Sequence, residues 1–333
     1  MKSFLMKLAS VVGLLFAVVA LNFLLIQFAP GDPVEVIVGE MGGASDELIA
    51  QLRADYGLDK PVIVQLGIYL GKIVTGDFGY SIYYSQPVLT LILQRLPATI
   101  LLMISSVSVA VVIGTVLGIF SAKRPKGLLS HFVTIFSLAG YSAPVFWTGL
   151  MLLILFSSII PMFPVSGMVS VRGVEGPVEY VLDVLHHLVL PTVTLASIYI
   201  ALYSRLARAS MLDVLGADYI RTARAKGLSE RQVTYGHALR NGLIPVVTML
   251  GLQMGQLLAG AVLVETVFNW PGLGRLAFES ILRRDYPTLL GILFFSAVIV
   301  VVANLLTDLA YARIDPRIGS RKKKAPSPQK AAQ

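Results

Sequence analysis

Six stretches of the chain carry no charged side chain at all: residues 8–29, 96–122, 132–161, 188–204, 243–264 and 287–307. A run of about 22 residues covers about 33 Å at the helical rise, enough to cross the hydrocarbon core of a bilayer, and the shorter and longer runs suit straight or tilted spans. The pattern therefore predicts about six membrane-spanning helices. The first stretch follows Lys2 and Lys7 and ends at Pro30 without a small-residue cleavage site, which favours a retained helix over a signal peptide. Pro97 and Pro287 fall in the expected first turns of their helices, while Gly140 and Pro144 predict a kink in the third. Residues 62–74 are apolar but too short for a span and include Lys72, so they read as an interfacial helix.

Composition agrees with lipid as the solvent. Of the 333 residues 56% are hydrophobic and 14% charged, against about 25% charged in soluble domains. The net charge of +8 flanks the apolar spans, the geometry of membrane topology rather than of a phosphate-binding face, and nucleic acid is not an expected partner. With six spans both termini share a side with the connectors 123–131 and 205–242. That side holds 19 of the 27 basic residues and 5 of the 19 acidic ones, so the positive-inside rule places the termini in the cytoplasm. The run Arg321-Lys322-Lys323-Lys324 reads as a disordered tail drawn to anionic lipid. Cysteine is absent, which excludes disulfides and thiolate chemistry.

Outside the spans, Ser45, Leu48, Ile49, Leu52 and Tyr56, followed by Gly57 and Pro61, have the start, period and stop of a short helix, either packed on the outer helix ends or acting at the membrane surface. Residues 268–285 carry Trp270, Pro271, Gly272 and Gly274 and predict a loop with a brief helix resting at the interface. The organisation is then 1–29, the N-terminus and first helix; 30–95, an outer segment with short amphipathic helices; 96–310, the core with spans two to six; and 311–333, a basic tail.

The connector at 209–242 is far longer than a turn requires. Residues 213–226 place Ala217, Ile220 and Ala223 at helical spacing, and Gly227 supplies a left-handed stop. Ser229 and Gln232 then have capping-box spacing, with Leu228 and Val233 at the staple positions. Helix, glycine corner and helix are thus specified. Arg221, Arg224 and Lys226 beside small alanines suit a groove on a partner protein, and equally an amphipathic helix lying on anionic lipid.

The run Asp218-Tyr219-Ile220-Arg221-Thr222-Ala223-Arg224-Ala225-Lys226-Gly227, with His237-Ala238-Leu239-Arg240-Asn241, resembles the coupling-helix signature of the permeases of bacterial ABC importers in the dipeptide, oligopeptide, glutathione and nickel group. The likeness continues through Pro30-Gly31-Asp32-Pro33, Gly57-Leu58-Asp59-Lys60-Pro61, Gly76-Asp77-Phe78-Gly79, Pro164-Val165-Ser166-Gly167, Trp270-Pro271-Gly272-Leu273-Gly274, Arg284-Asp285-Tyr286-Pro287 and Asp315-Pro316-Arg317. It points to the permease of the pair with the long outer loop after its first helix, the dipeptide-permease B-subunit type. Against the general importer pattern, Arg221-Thr222-Ala223 stands at the Glu-Ala-Ala place and Gly227 is kept, while His237 and Arg240 replace Ile and Pro.

This resemblance implies an all-α integral membrane protein with the type I importer permease fold, a cytoplasmic coupling helix and an outer loop domain after the first helix. It implies alternating access with a second, homologous permease, two ABC ATPase subunits, and a periplasmic or lipid-anchored substrate-binding protein that delivers peptides. The expected coupling residues are Asp218, Tyr219, Arg221, Thr222, Ala223, Arg224, Ala225, Lys226 and Gly227, with the stretch 214–226 acting as a lever. No phosphate-loop motif occurs, so ATP and Mg²⁺ belong to the partner ATPases, and the chain is expected to be a transport subunit without cofactor or catalytic residues. Glutathione, a nickel chelate or another small solute remains an alternative cargo.

At membrane depth, Gly251, Gly255 and Ala259 form a small-residue stripe, and Gln253 and Gln256 lie away from it as candidate path-lining or interhelical groups. Glu265, Asn304 and Asp308 fall near span ends and read as reaching the interface. His186 and His187 are adjacent on a helix and so make a poor metal pair. No ion-coupling charges or inverted repeats point to a secondary transporter, and no paired nucleophile and base to an intramembrane enzyme.

Overall fold

The computed structural model describes residues 2–28, 38, 43, 45, 47, 49, 50, 60–171, 173 and 175–314. The expected helix at 45–56, the Pro30–Pro33 and Asp315–Arg317 motifs and the basic tail lie outside, or almost wholly outside, that set, as does most of the motif ending at Pro61.

Nearly everything described is helical. The elements are α1 (Lys2–Phe28), α2 (Val62–Val74), a two-residue hairpin β1 (Tyr80–Ser81) and β2 (Gln86–Pro87), α3 (Val88–Lys123), α4 (Leu128–Ser142), α5 (Val145–Leu153) running into a π-helix (Ile154–Ile159), and α6 (Pro177–Leu215). After these come α7 (Asp218–Ala225), α8 (Glu230–Gln232), a second π-helix (Val233–Ala238), α9 (Leu239–Gly242), α10 (Ile244–Leu252), α11 (Met254–Val267), α12 (Leu273–Leu282) and α13 (Tyr286–Ile314).

Three of these helices, within Val88–Lys123, Pro177–Leu215 and Tyr286–Thr307, are individually long and apolar enough to cross a membrane, and 230–252 with 254–267 forms a fourth, bent by 60° at Gln253. Of the other two expected spans, the first lies within the 27-residue α1 and the third is broken at Pro144 into α4 and α5. Pro144 is the N-cap of α5, in extended backbone, because proline removes the hydrogen bond and the space that a continuous helix would need. Pro97 departs from expectation. The helix begins at Val88, so Pro97 lies inside α3 rather than in its first turn.

Contacts divide the chain into two compact units. The first comprises Met1–Met103, Leu155–Leu188 and Leu258–Val301. Its core joins Val88, Leu91 and Ile92 of α3 to Leu273 and Leu276 of α12 and Ile292 of α13. Asn22 in α1 donates to the Leu290 carbonyl at 3.3 Å, satisfying a buried amide at span depth.

Motifs far apart in sequence converge in this unit. Asp77 accepts from the Gly79 amide at 2.9 Å while Gly76 and Gly79 take positive φ, a turn that aims Phe78 at Phe294 and Phe295. The Gly167 amide reaches the Phe268 carbonyl at 2.9 Å. Asp285 accepts from Ser81 at 2.5 Å and from Thr288 at 2.7 Å, tying the hairpin to the start of α13. Tyr84 donates to Glu279 at 2.6 Å, and burial together with that carboxylate pushes the phenol's pKa well above its usual range.

Tyr84→Phe should keep the ring packing and delete only this bond, while Arg275 still holds Glu279 at 2.8 Å. The expected cost is about 1–2 kcal/mol, read as a fall of about 2–4 °C in the melting midpoint of the purified protein.

The second unit comprises Ile104–Ile154, Val189–Leu257 and Val302–Gln333. Here α3 and α6 touch backbone to backbone at Gly114 and Gly118. A Cβ at Gly118 would meet the Ser204 carbonyl and Ala207, so glycine is needed for the approach itself. Hydroxyl pairs Ser105–Thr192 at 2.8 Å and Ser137–Ser204 at 3.0 Å tie α3 and α4 to α6.

Candidate functional site: the glycine-cornered connector

The connector after α6 is built differently from the single helix expected over 213–226. α6 runs on to Leu215, the chain turns at Gly216, and Ala217 is an extended N-cap (ψ 151°) for α7. Gly216 weakens the helix at that point, and Asp218 favours a fresh N-terminus by placing a negative charge in the first turn. The separate helix is therefore eight residues long.

α7 is strongly two-faced. Ile220 is fully buried and Ala223 nearly so, packed with Ile119 and Ala122 of α3, Met211 of α6, and Val233 and Ala238 of the following π-helix. Burying the Ile220 side chain alone contributes about 1.5–3 kcal/mol. The opposite face exposes Asp218, Tyr219, Arg221, Thr222, Ala225 and Lys226. Short as it is, α7 is keyed to the ends of two long helices.

The corner is held by four independent devices. Gly227 has φ +79°, a left-handed conformation that side chains with a Cβ rarely adopt. Ser229 and Gln232 form a reciprocal capping box, the Ser229 hydroxyl accepting from the Gln232 amide and the Gln232 side chain accepting from the Ser229 amide at 3.0 Å. Leu228 packs on the cluster that contains Val233, as the staple spacing predicts. The fourth device was not foreseen. Arg224 does not stand free among the exposed cations but reaches across the corner to Glu230 at 2.8 Å and to the Leu215 carbonyl at 3.4 Å. Asn241 donates to the Tyr219 hydroxyl at 2.9 Å, so the second half of the signature braces the first.

The two glutamines separate. Gln253 is buried at the bend between α10 and α11, its side-chain oxygen without a hydrogen-bond partner, whereas Gln256 is exposed. Within the small-residue stripe, Gly251 approaches Thr307 of α13, while a Cβ at Gly255 would meet nothing within 4 Å. His187 bonds back to the Asp183 carbonyl and His186 to the Met162 carbonyl, and among the described residues no group of metal-ligating side chains assembles.

Two readings around the connection from α11 to α12 are corrected. Trp270 is not at the interface but fully buried, because its indole N–H finds the Ala98 carbonyl at 2.9 Å and burial leaves no polar atom orphaned. Glu265 does not reach an interface either. It is fully buried and accepts from the Thr99 hydroxyl at 2.6 Å and from the Gly274 and Arg275 amides at 2.7 and 3.0 Å. Asn304 is exposed, and the side chain of Asp308 lies outside the described set.

Apolar helices long enough to cross a bilayer and a capped, glycine-cornered connector between them define an all-helical membrane protein. The chain belongs to the family described as binding-protein-dependent transport system inner membrane component, whose model matches residues 114–320, and the model of that family's N-terminal segment matches residues 1–103. It is 41% identical over 309 residues to the oligopeptide transport system permease protein AppB of Bacillus subtilis, covering 92% of this chain and 96% of that one. It is 39% identical over 333 residues to the dipeptide transport system permease protein DppB of Escherichia coli K12, covering 95% and 98%. The fold is that of type I permeases. It superposes with TM-score 0.53 on a chain of the inward-facing MetNI methionine ABC transporter, at 16% identity, over 68% of this chain and 97% of that one. The protein is thus an inner-membrane transport component of an ABC importer.

Proposed function

We propose that this chain is one of two homologous permeases of a peptide importer and that α7 is its coupling helix, docked on one of two ABC ATPase subunits. The names of its relatives, which carry oligopeptides and dipeptides, support peptide as the cargo brought by an external binding protein. ATP and Mg²⁺ are held by the ATPases, since the chain has no phosphate loop, and both termini are cytoplasmic by the distribution of basic residues.

One observation carries the reading. α7 buries Ile220 and Ala223 against α3 and α6 and leaves Tyr219, Arg221, Thr222 and Lys226 on the other side, so a push on the exposed face is delivered to the ends of two spans. ATP-driven closure of the ATPases would then bias a two-state bundle.

Because the chain has no cysteine, single-cysteine variants need no prior engineering. In the assembled transporter, Arg221→Cys and Thr222→Cys should each form a short-range cross-link to an ATPase subunit, while Ser85→Cys, in the turn between β1 and β2, should form none. Equal cross-linking from both regions, or none from α7, rejects the assignment.

A further inference from the structure

Beside α7 lies a cavity of about 920 Å³. Its walls come from the end of α3 (Ala122, Lys123, Arg124), the end of α6 (Leu212, Leu215) and the corner itself (Arg224, Glu230, Arg231, Thr234, Tyr235). Four cations line it against one carboxylate, and that carboxylate is taken by Arg224 at 2.8 Å. Lys123 shares in the field on Glu230 without a close ion pair, and Arg124 and Arg231 form no ion pair among the described residues. Lys123 is nonetheless held in place, over the Tyr235 ring at 4.5 Å from its centroid and 3.3 Å from the phenol oxygen.

Collecting three like charges in one concavity raises their mutual repulsion and focuses a positive potential into it, a cost that a bound anion removes. The level of the cavity narrows the chemistry. The Lys123 ammonium also lies 5.3 Å from the ring of Phe120, an exposed residue one turn back on a spanning helix, which puts the cations where apolar surface gives way to head groups. Arginine offers paired donors that fit phosphate oxygens, and a lysine point charge completes the neutralisation.

We propose that this cavity is a phosphate-binding site, with Lys123, Arg124 and Arg231 as its ligands, and that its occupant bridges the end of α3 to the Gly227 corner. The placement on the cytoplasmic head-group level rests on the topology proposed above. Two sources share the chemistry: the phosphodiester of an anionic membrane lipid and free inorganic phosphate.

The test uses the complete transporter, purified with phosphatidylglycerol and then exchanged into phosphatidylcholine. Native mass spectrometry reads the phosphatidylglycerol retained, with and without inorganic phosphate. Wild type should retain it, and Arg124→Gln/Arg231→Gln should lose retention about ten-fold, with Arg231→Gln alone intermediate. Neutralising Lys322, Lys323 and Lys324 in the tail should change little. Retention unaffected by phosphate identifies the lipid as occupant. Displacement by phosphate, with phosphate bound in its place, identifies the free anion.

The proposal is overturned if the double variant retains as much lipid as wild type and neither binds phosphate, or if the tail variant loses as much as the cavity variants. The binding measurement involves neither ATP turnover nor ATPase contact, so it fails or succeeds independently of the role assigned to α7.

Discussion

Replacing Gly227 by valine should abolish substrate-stimulated ATP turnover in the assembled transporter while leaving membrane insertion intact. No atom outside the adjacent residues lies within 4 Å of where a Cβ would sit at this position, so the effect is conformational rather than steric crowding by the surroundings. At φ +79° a residue with a Cβ pays about 1–2 kcal/mol, and a β-branched one more. The backbone's least costly relief is to leave the left-handed region. That rotates α7 away from the capped segment that begins at Ser229, and strains the Arg224–Glu230 pair and the packing of Leu228. The spans themselves are untouched, so the chain should still insert.

Two companion substitutions separate this account from general damage. Gly227→Asn should retain most of the activity, because asparagine tolerates the left-handed region better than other residues. Gly236→Ala, where a Cβ also meets nothing within 4 Å but φ is not positive, should stay within about two-fold of wild type. Normal stimulated turnover in Gly227→Val would reject the rigid-corner mechanism.

The contrast between the connector and the Glu265 site shows what kind of information a single sequence carries. The connector was legible because its devices are local. Gly227, the Ser229–Gln232 box and the Leu228–Val233 staple act within a few residues of one another, and each has a spacing that names it. Even there the long-range part was missed. The helix stops at Leu215 rather than running through, and Arg224 is committed to Glu230, six residues away around a corner whose angle no periodicity encodes.

The spans were read from charge-free length, which locates apolar segments but not the ends of helices. α3 and α6 both begin well before their charge-free runs, because charged residues such as Arg95, Glu179 and Asp183 are carried inside the helices. The close contact of α3 with α6 was visible in principle. Gly114 and Gly118 are four apart in an apolar run, the same pattern as Gly251 and Gly255, yet only the structure shows that both members of the earlier pair meet backbone within this chain.

Glu265 was the least legible residue, since an isolated acid near a span end ordinarily reaches for water. Its partners, Thr99 and the Gly274–Arg275 amides, come from a different span and from the far side of a tight loop.

That arrangement makes Glu265 the second position where a large effect is expected, this time on assembly rather than on coupling. The carboxylate sits under the N-terminus of α12, where the helix's free amides and its positive end both favour an acceptor. Thr99 donates to it and in turn accepts from the Leu273 amide at 2.7 Å, so one carboxylate satisfies two amides directly and fixes a third through the hydroxyl. The glycines of Trp270-Pro271-Gly272-Leu273-Gly274 then have a physical purpose. A Cβ on Gly272 would overlap the Glu265 carboxylate, and one on Gly274 would run into Val262.

Glu265→Ala leaves the Gly274 and Arg275 amides and the Thr99 hydroxyl without their acceptor at a buried position, at about 1–3 kcal/mol for each buried group left unpaired. The loop between α11 and α12 should come away from α3, and the purified protein should fail to give a monodisperse complex. Glu265→Gln keeps one oxygen for the two amides but turns an N–H₂ group toward Thr99, which must then give up its donor role. It should assemble in reduced yield with a lowered melting midpoint. The order expected in size-exclusion yield and thermal stability is wild type above Gln above Ala. If Glu265→Ala assembles and melts like wild type, the carboxylate is not what holds α12 in place.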